Sequence, residues 1–142
     1  MPTLDVDDAR RRFAAARVAR LATVSADGRP HLVPVVFAVE GDAVLMAVDQ
    51  KPKRHRDLKR LRNMADHPAV SLLVDRYDDD WGALWWVRAD GTATVTDDGD
   101  VLGRARAALG ARYPQHRADP PEGPAFTVEV TRWTGWAASR SG

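Results

Sequence analysis

The sequence predicts a mainly β fold, a small β-barrel or sandwich with short helices in which the sheet closes on itself. Three observations carry this reading: about six strand-like segments rich in Val, Leu and Trp, turn residues at close intervals between them, and helical stretches that are few and short. With 142 residues and 44% hydrophobic content, the chain has the size of one compact domain, expected to span residues 1–142.

Taken in order, the first element is a short helix. Leu4, Ala9, Phe13 and Ala16 fall roughly along one side, and Asp5, Asp7 and Asp8 sit in the first turn, where the helix dipole favours acids. Val18 to Val48 then reads as three strands of an antiparallel meander, broken at Asp27-Gly28 and Gly41-Asp42, both hairpin chemistry. Leu58, Leu61, Met64 and Ala65 have helical spacing, and Pro68 closes that helix before the strand Ala69–Asp75. Leu84–Thr96 is strand-like, Asp98–Arg112 helical, and Ala125–Ala138 a last strand. Between the last two lies a stretch with four prolines, Tyr113–Pro124, expected to be a loop.

Composition removes several classes. Without Cys there is no disulfide framework and no thiolate chemistry. The start of the chain lacks the apolar core of a signal peptide, and no apolar run is long enough to span a bilayer, so a cytoplasmic protein is expected. A net charge of +1 supplies no broad phosphate-tracking field, which argues against nucleic acid as a partner. His31, His55, His67 and His116 show no metal spacing, and Asp78 to Asp80 lack a calcium-loop pattern, so no metal site is expected. There is also no Gly-rich phosphate loop and no serine nucleophile elbow.

One stretch departs from this balance. KPKRHRDLKRLRNM, Lys51 to Met64, holds seven Lys and Arg against the single acid Asp57. At about 100° per residue, Lys53, Arg56, Arg60 and Asn63 fall in one narrow sector and can converge on one anion, while Lys51 precedes the helix and can add to the same site. Lys and Arg are charge-assisted donors that a phosphate accepts strongly, and Asn63 would add a neutral donor. Arg54, His55, Lys59 and Arg62 point elsewhere. A plain solvated basic face would account for the same run of residues.

Three segments, GRPHLVPVVF, KRLRNMADHPAVSLLVD and DDDWGALWWVRADG, occur in an order that resembles a known family over nearly the whole chain. It is similar to the split β-barrel flavin and deazaflavin oxidoreductases related to pyridoxamine 5'-phosphate oxidase, and in particular to the branch that uses coenzyme F420. The resemblance implies an FMN-binding-like split barrel, a homodimer, and a cofactor groove built from both protomers. It places the cofactor phosphate on Arg60, with Lys51 and Lys53 along the same path or on the acidic tail that F420 carries and FMN lacks. Backbone groups around Pro34 and Val35, and Val48 on the neighbouring strand, would meet the ring edge. The implied reaction is hydride transfer from reduced F420 to an electron-poor double bond or imine of a small molecule, with FMN as the alternative cofactor. A cofactor-binding protein without turnover is a further alternative. No catalytic residue is singled out, since the cofactor carries the chemistry.

Two residues have a reading of their own. Pro34 cannot donate a ladder bond, so an edge or bulged position is expected for it. In LWWVR, alternation puts Leu84, Trp86 and Arg88 on one face and Trp85 and Val87 on the other. Trp86 with Arg88 is a candidate cofactor contact, although large aromatics also serve cores and interfaces. Trp81, Trp85, Trp133 and Trp136 are expected to be exposed and to cover a partner protomer or the substrate.

Overall fold

A computed structural model of the chain describes residues 3–47, 54–121 and 123–139. Helix α1 (Val6–Ala15) opens with Asp5 as its cap, whose carboxylate accepts the N–H of Asp8 at 2.8 Å. Strands β1 (Ala19–Val24), β2 (Pro30–Val35), β3 (Ala38–Glu40) and β4 (Ala43–Ala47) follow. The two hairpin turns fall where Asp27-Gly28 and Gly41-Asp42 predict them, with Gly28 at φ +87° and Gly41 at φ +60°, conformations open to a residue without a Cβ. Then come α2 (Arg54–Asp66), β5 (Ala69–Arg76), a single 3-10 turn at Trp81–Ala83, β6 (Trp85–Thr96), α3 (Gly99–Arg112), α4 (Pro114–Ala118) and β7 (Ala125–Ala137).

The seven strands among the described residues form one antiparallel sheet in the order β2-β1-β5-β6-β7-β4-β3. Its two end strands, β2 and β3, are separated in the chain by Val36 and Phe37 alone. Laid flat, seven strands would hold those ends about 29 Å apart. The link from Val35 to Ala38 reaches at most about 11 Å. The sheet therefore curls until the end of β2 and the start of β3 lie close together, consistent with the barrel expected from sequence. That expectation had one strand running through Val36-Phe37 and about six strands in all; the break there makes seven among the described residues.

Alternation decides what fills the barrel. Leu21, Val44, Met46, Leu72, Val74, Val87 and Val128 point inward and are buried. Phe13 of α1 closes one side of this core, its ring 4.9 Å from Phe37 and 5.3 Å from Trp133; burial of such a side chain contributes roughly 1.5–3 kcal/mol. Met64 and Leu61 bring α2 against the same core. Strand β4 is covered on both faces, because α3 lays Leu109, Ala105 and Ala108 over Ala38, Leu45 and Ala47. Within the stretch predicted as a loop, Pro114 instead starts the short helix α4, where its missing N–H costs nothing. No helix among the described residues is long and apolar enough to cross a membrane.

Candidate cofactor-binding surface

The residues expected to hold a cofactor fall into two groups. One lies on α2 against the barrel core. Arg60 is half-buried, with its guanidinium carbon 5.9 Å from the centre of the Phe126 ring. Asn63 lies deeper than expected: only 3% exposed, its amide nitrogen donates to Thr23 Oγ1 at 3.2 Å. The donor assigned to an anion is thus spent on tying α2 to β1. Lys59 and Arg62, expected to point elsewhere, line a cleft of about 520 Å3 with Ser25, Asp27 and Asp66, and Asn63 forms part of its wall. Two carboxylates among the lining residues make this cleft mixed in charge. Val48, Lys51 and Lys53 lie outside the described residues, as does the side chain of Arg56.

His31 adds to this first group. It pairs with Thr23 across the β1–β2 ladder, and its Nδ1 is buried with no hydrogen-bond partner. Burial, reinforced by the positive charges of Lys59 and Arg60, holds its pKa below the usual histidine value. The neutral form of this imidazole is thus favoured more than in a free histidine.

The second group lies on the outer face of the sheet. Strand register aligns Pro34, Arg20, Leu73, Arg88 and Thr134 in one row across β2, β1, β5, β6 and β7. Directly opposite neighbours in such a row stand about 5 Å apart. Pro34 is exposed, on the end strand β2, as its missing N–H predicts. Val35 turns the other way and is buried in the core, so only its backbone is offered to a ligand. Arg88 is half-buried; its Nε lies 3.0 and 3.1 Å from the two carboxylate oxygens of Asp90, and Asp90 is itself held by Ser71 Oγ at 2.6 Å. This chain fixes the Arg88 fork while leaving its Nη groups unused among the described residues. Arg20, a neighbour in the row that sequence reading passed over, is exposed and has no acidic partner among the described residues. Its signal was available: it alternates with the core residues Ala19 and Leu21.

Beside this row lies an aromatic ledge. Trp86 pairs with Asp75 on one side and Trp136 on the other, and Tyr77, Trp86 and Trp136 line a pocket of about 160 Å3. Two polar atoms here, Thr134 Oγ1 and Trp136 Nε1, are buried without a partner. Buried polar groups are usually satisfied, and this pair next to Trp86 and Arg88 leaves two polar atoms open to a further bonding partner. A flat ring with an anionic arm suits these side chains: aromatic surface for the one, Arg88 and Arg20 for the other. Two tryptophans expected to be exposed do not join the ledge. Trp85 packs on the barrel core under the Arg12 guanidinium, 5.4 Å away, and Trp133 packs there with its Nε1 bound to Asp42 at 3.0 Å. Trp81 is exposed, at 69%.

Comparison with known proteins gives the following. The family model for pyridoxamine 5'-phosphate oxidase matches residues 6–137. No curated protein matches the chain in sequence. Among solved structures, the chain is similar to the conserved hypothetical protein Rv2991 of Mycobacterium tuberculosis, with TM-score 0.78 and 20% identity over 95% of this chain and 86% of that one. It is similar to an FAD-binding protein of Mesorhizobium loti, with TM-score 0.74 and 22% identity over 94% and 93%. The heme storage protein HutZ of Vibrio cholerae aligns with TM-score 0.69 and 18% identity over 94% and 95%. At these identities the likeness is one of fold.

Proposed function

The chain belongs to the pyridoxamine 5'-phosphate oxidase family, and from that premise we propose that it is an oxidoreductase that binds a flavin-type cofactor, coenzyme F420 with FMN as the alternative. The observation that carries this reading is the outer row with its ledge, where a fixed Arg88 fork stands next to Trp86, Trp136 and two unsatisfied polar atoms. Trp86 packs the ring, Arg88 binds its polar edge or anionic arm, and Arg60 takes the phosphate. Lys51, Lys53 and Arg56 extend the positive charge for the longer anionic tail of F420, which is the reason for preferring it over FMN. When bound, such a cofactor supplies hydride transfer to or from a small unsaturated substrate. The chain's own residues orient the two partners and keep water from the reacting atoms.

A second copy of the chain completes the surface in this reading. Leu32 at 67% and Leu73 at 39% exposure lie on the outer face, and a homodimer would cover them and build the groove from both protomers. Binding without turnover is the second reading, favoured by the FAD-binding and heme storage proteins among the fold neighbours.

The test is to mix the purified chain with reduced F420 and a panel of electron-poor alkenes and imines, following cofactor reoxidation by absorbance. Reoxidation that depends on the chain supports the oxidoreductase. A bound cofactor that no substrate reoxidises supports the second reading, and a chain that retains neither F420 nor FMN removes both.

A further inference from the structure

We propose that the cleft between α3 and α4 is a separate anion site, one that holds a phosphate-bearing small molecule. It lies away from the basic helix: α3 packs on β3, β4 and β7, whereas α2 packs on β1 and β6.

The two helices meet at Tyr113, which is 9% exposed and whose N–H donates to the Leu109 carbonyl at 2.8 Å. Its hydroxyl is bonded into the barrel wall, so the elbow between the helices is fixed. The cleft beside it has a volume of about 640 Å3 and is lined by Arg106, Ala107, Gly110, Ala111, His116 and Arg117. That volume is in the range of small-molecule sites, roughly 300–1,000 Å3.

Both guanidinium groups are anchored through the stem nitrogen. Arg106 Nε donates to the Pro121 carbonyl at 2.6 Å, and Arg117 Nε donates to the Gly110 carbonyl at 3.2 Å. Each arginine thereby loses rotamer freedom before any ligand arrives, while its two Nη groups keep their donors. Six other arginines, Arg10, Arg11, Arg12, Arg76, Arg88 and Arg104, each have a carboxylate within reach. Among the described residues, neither Arg106 nor Arg117 has one within 4.0 Å. Two forks without an acid partner line one cleft, and an anion bound there can accept from both.

The rest of the lining fits the same ligand. His116 is held edge-on to the Tyr113 ring, centroids 5.9 Å apart, and offers an imidazole donor. Ala107, Gly110 and Ala111 put no long side chain in the cleft. Gly110 is not demanded by packing, since a Cβ there would come no closer than 3.6 Å to Arg117 Cα; what its hydrogen preserves is open space. A carboxylate offers two oxygens and is saturated by one fork. A phosphate monoester offers three to two forks and an imidazole, and its organic part can lie on the alanine faces.

The test is a 1H–15N NMR titration of the full chain with phenyl phosphate, with benzoate as the carboxylate control. The expected result is a saturable shift of the Ala107, Gly110, Ala111, His116 and Arg117 amides, at least tenfold tighter for phenyl phosphate than for benzoate. Arg106→Gln with Arg117→Gln should weaken it at least tenfold. Ala111→Glu, at an exposed helical position that tolerates Glu, should abolish it by supplying the missing carboxylate, with the rest of the spectrum unchanged. Shifts confined to α2, equal response to benzoate, no response in this segment, or binding that survives Ala111→Glu would each overturn the proposal.

Discussion

The Tyr113 hydroxyl lies against the backbone of Phe37, 3.4 Å from its amide nitrogen and 3.1 Å from its carbonyl oxygen. Phe37 belongs to the two-residue link between the sheet's two end strands. The same hydroxyl lies 3.0 Å from the Arg17 carbonyl, and Arg112 donates to the carbonyls of Phe37 at 2.6 Å and Ala16 at 2.6 Å. The C-terminal end of α3 thus clamps the place where the barrel closes to the segment that joins α1 to β1.

Tyr113→Phe keeps the ring but removes the one side-chain acceptor that the buried Phe37 N–H has among the described residues. Leaving that group unsatisfied should cost about 1–3 kcal/mol. Urea unfolding should show a lower midpoint with an unchanged slope, since the same surface is exposed on unfolding.

At the β6–β7 bulge, register shifts between Asp90 and Gly91. A Cβ on Gly91 would run into the Glu129 carbonyl and stand 2.9 Å from Val128 Cγ1. Gly91→Ala should therefore cost on the order of 1–3 kcal/mol, because backbone cannot step aside as a side-chain tip can. Thermal unfolding should show the loss, and Gly99→Ala, where the same addition meets open space, serves as the control.

Asp42 accepts from Trp133 Nε1 and from Arg10, and these bonds hold its pKa below the usual carboxylate value. A carboxyl depressed in the folded state stabilises the fold above its unfolded pKa and loses that contribution as pH falls through the folded one. Stability should accordingly drop below about pH 4. Asp42→Asn should flatten that part of a stability–pH profile measured by denaturant unfolding.

His31 acts in the same direction at higher pH. Its pKa is lowered from 6.5 by burial first and by Lys59 and Arg60 next. Between the folded and unfolded pKa values the unfolded chain binds the extra proton, so stability should rise with pH up to about 6.5 and then level off. An NMR titration of the imidazole should give a pKa below 6.5 in the native chain, moving upward in Lys59→Gln.

Much of this architecture is legible in the sequence because it rests on local chemistry. The Asp27-Gly28 and Gly41-Asp42 turns, the 3.6-residue spacing of Leu58, Leu61 and Met64, and the alternation in β6 each act within a few residues. What stays hidden depends on distant partners. Nothing in LVPVVFAVE marks a break at Val36-Phe37, since the bend is imposed by closure and by Tyr113, 76 residues away. Asn63 sits in the polar sector by spacing, yet Thr23 draws it inward. Trp85 and Trp133 look like surface tryptophans until α1 is laid over them. The outer row that joins Pro34, Arg20 and Arg88 exists only once strand order is known.

The most direct measurement is a fluorescence titration of the chain with F420 and, separately, FMN, repeated with Arg60→Ala, Arg88→Ala and the Arg106→Gln/Arg117→Gln pair. Saturable F420 binding, weakened at least tenfold by each of the first two and unchanged in the pair, is the predicted result. Absence of binding to either cofactor, or binding indifferent to both Arg60 and Arg88, would contradict it.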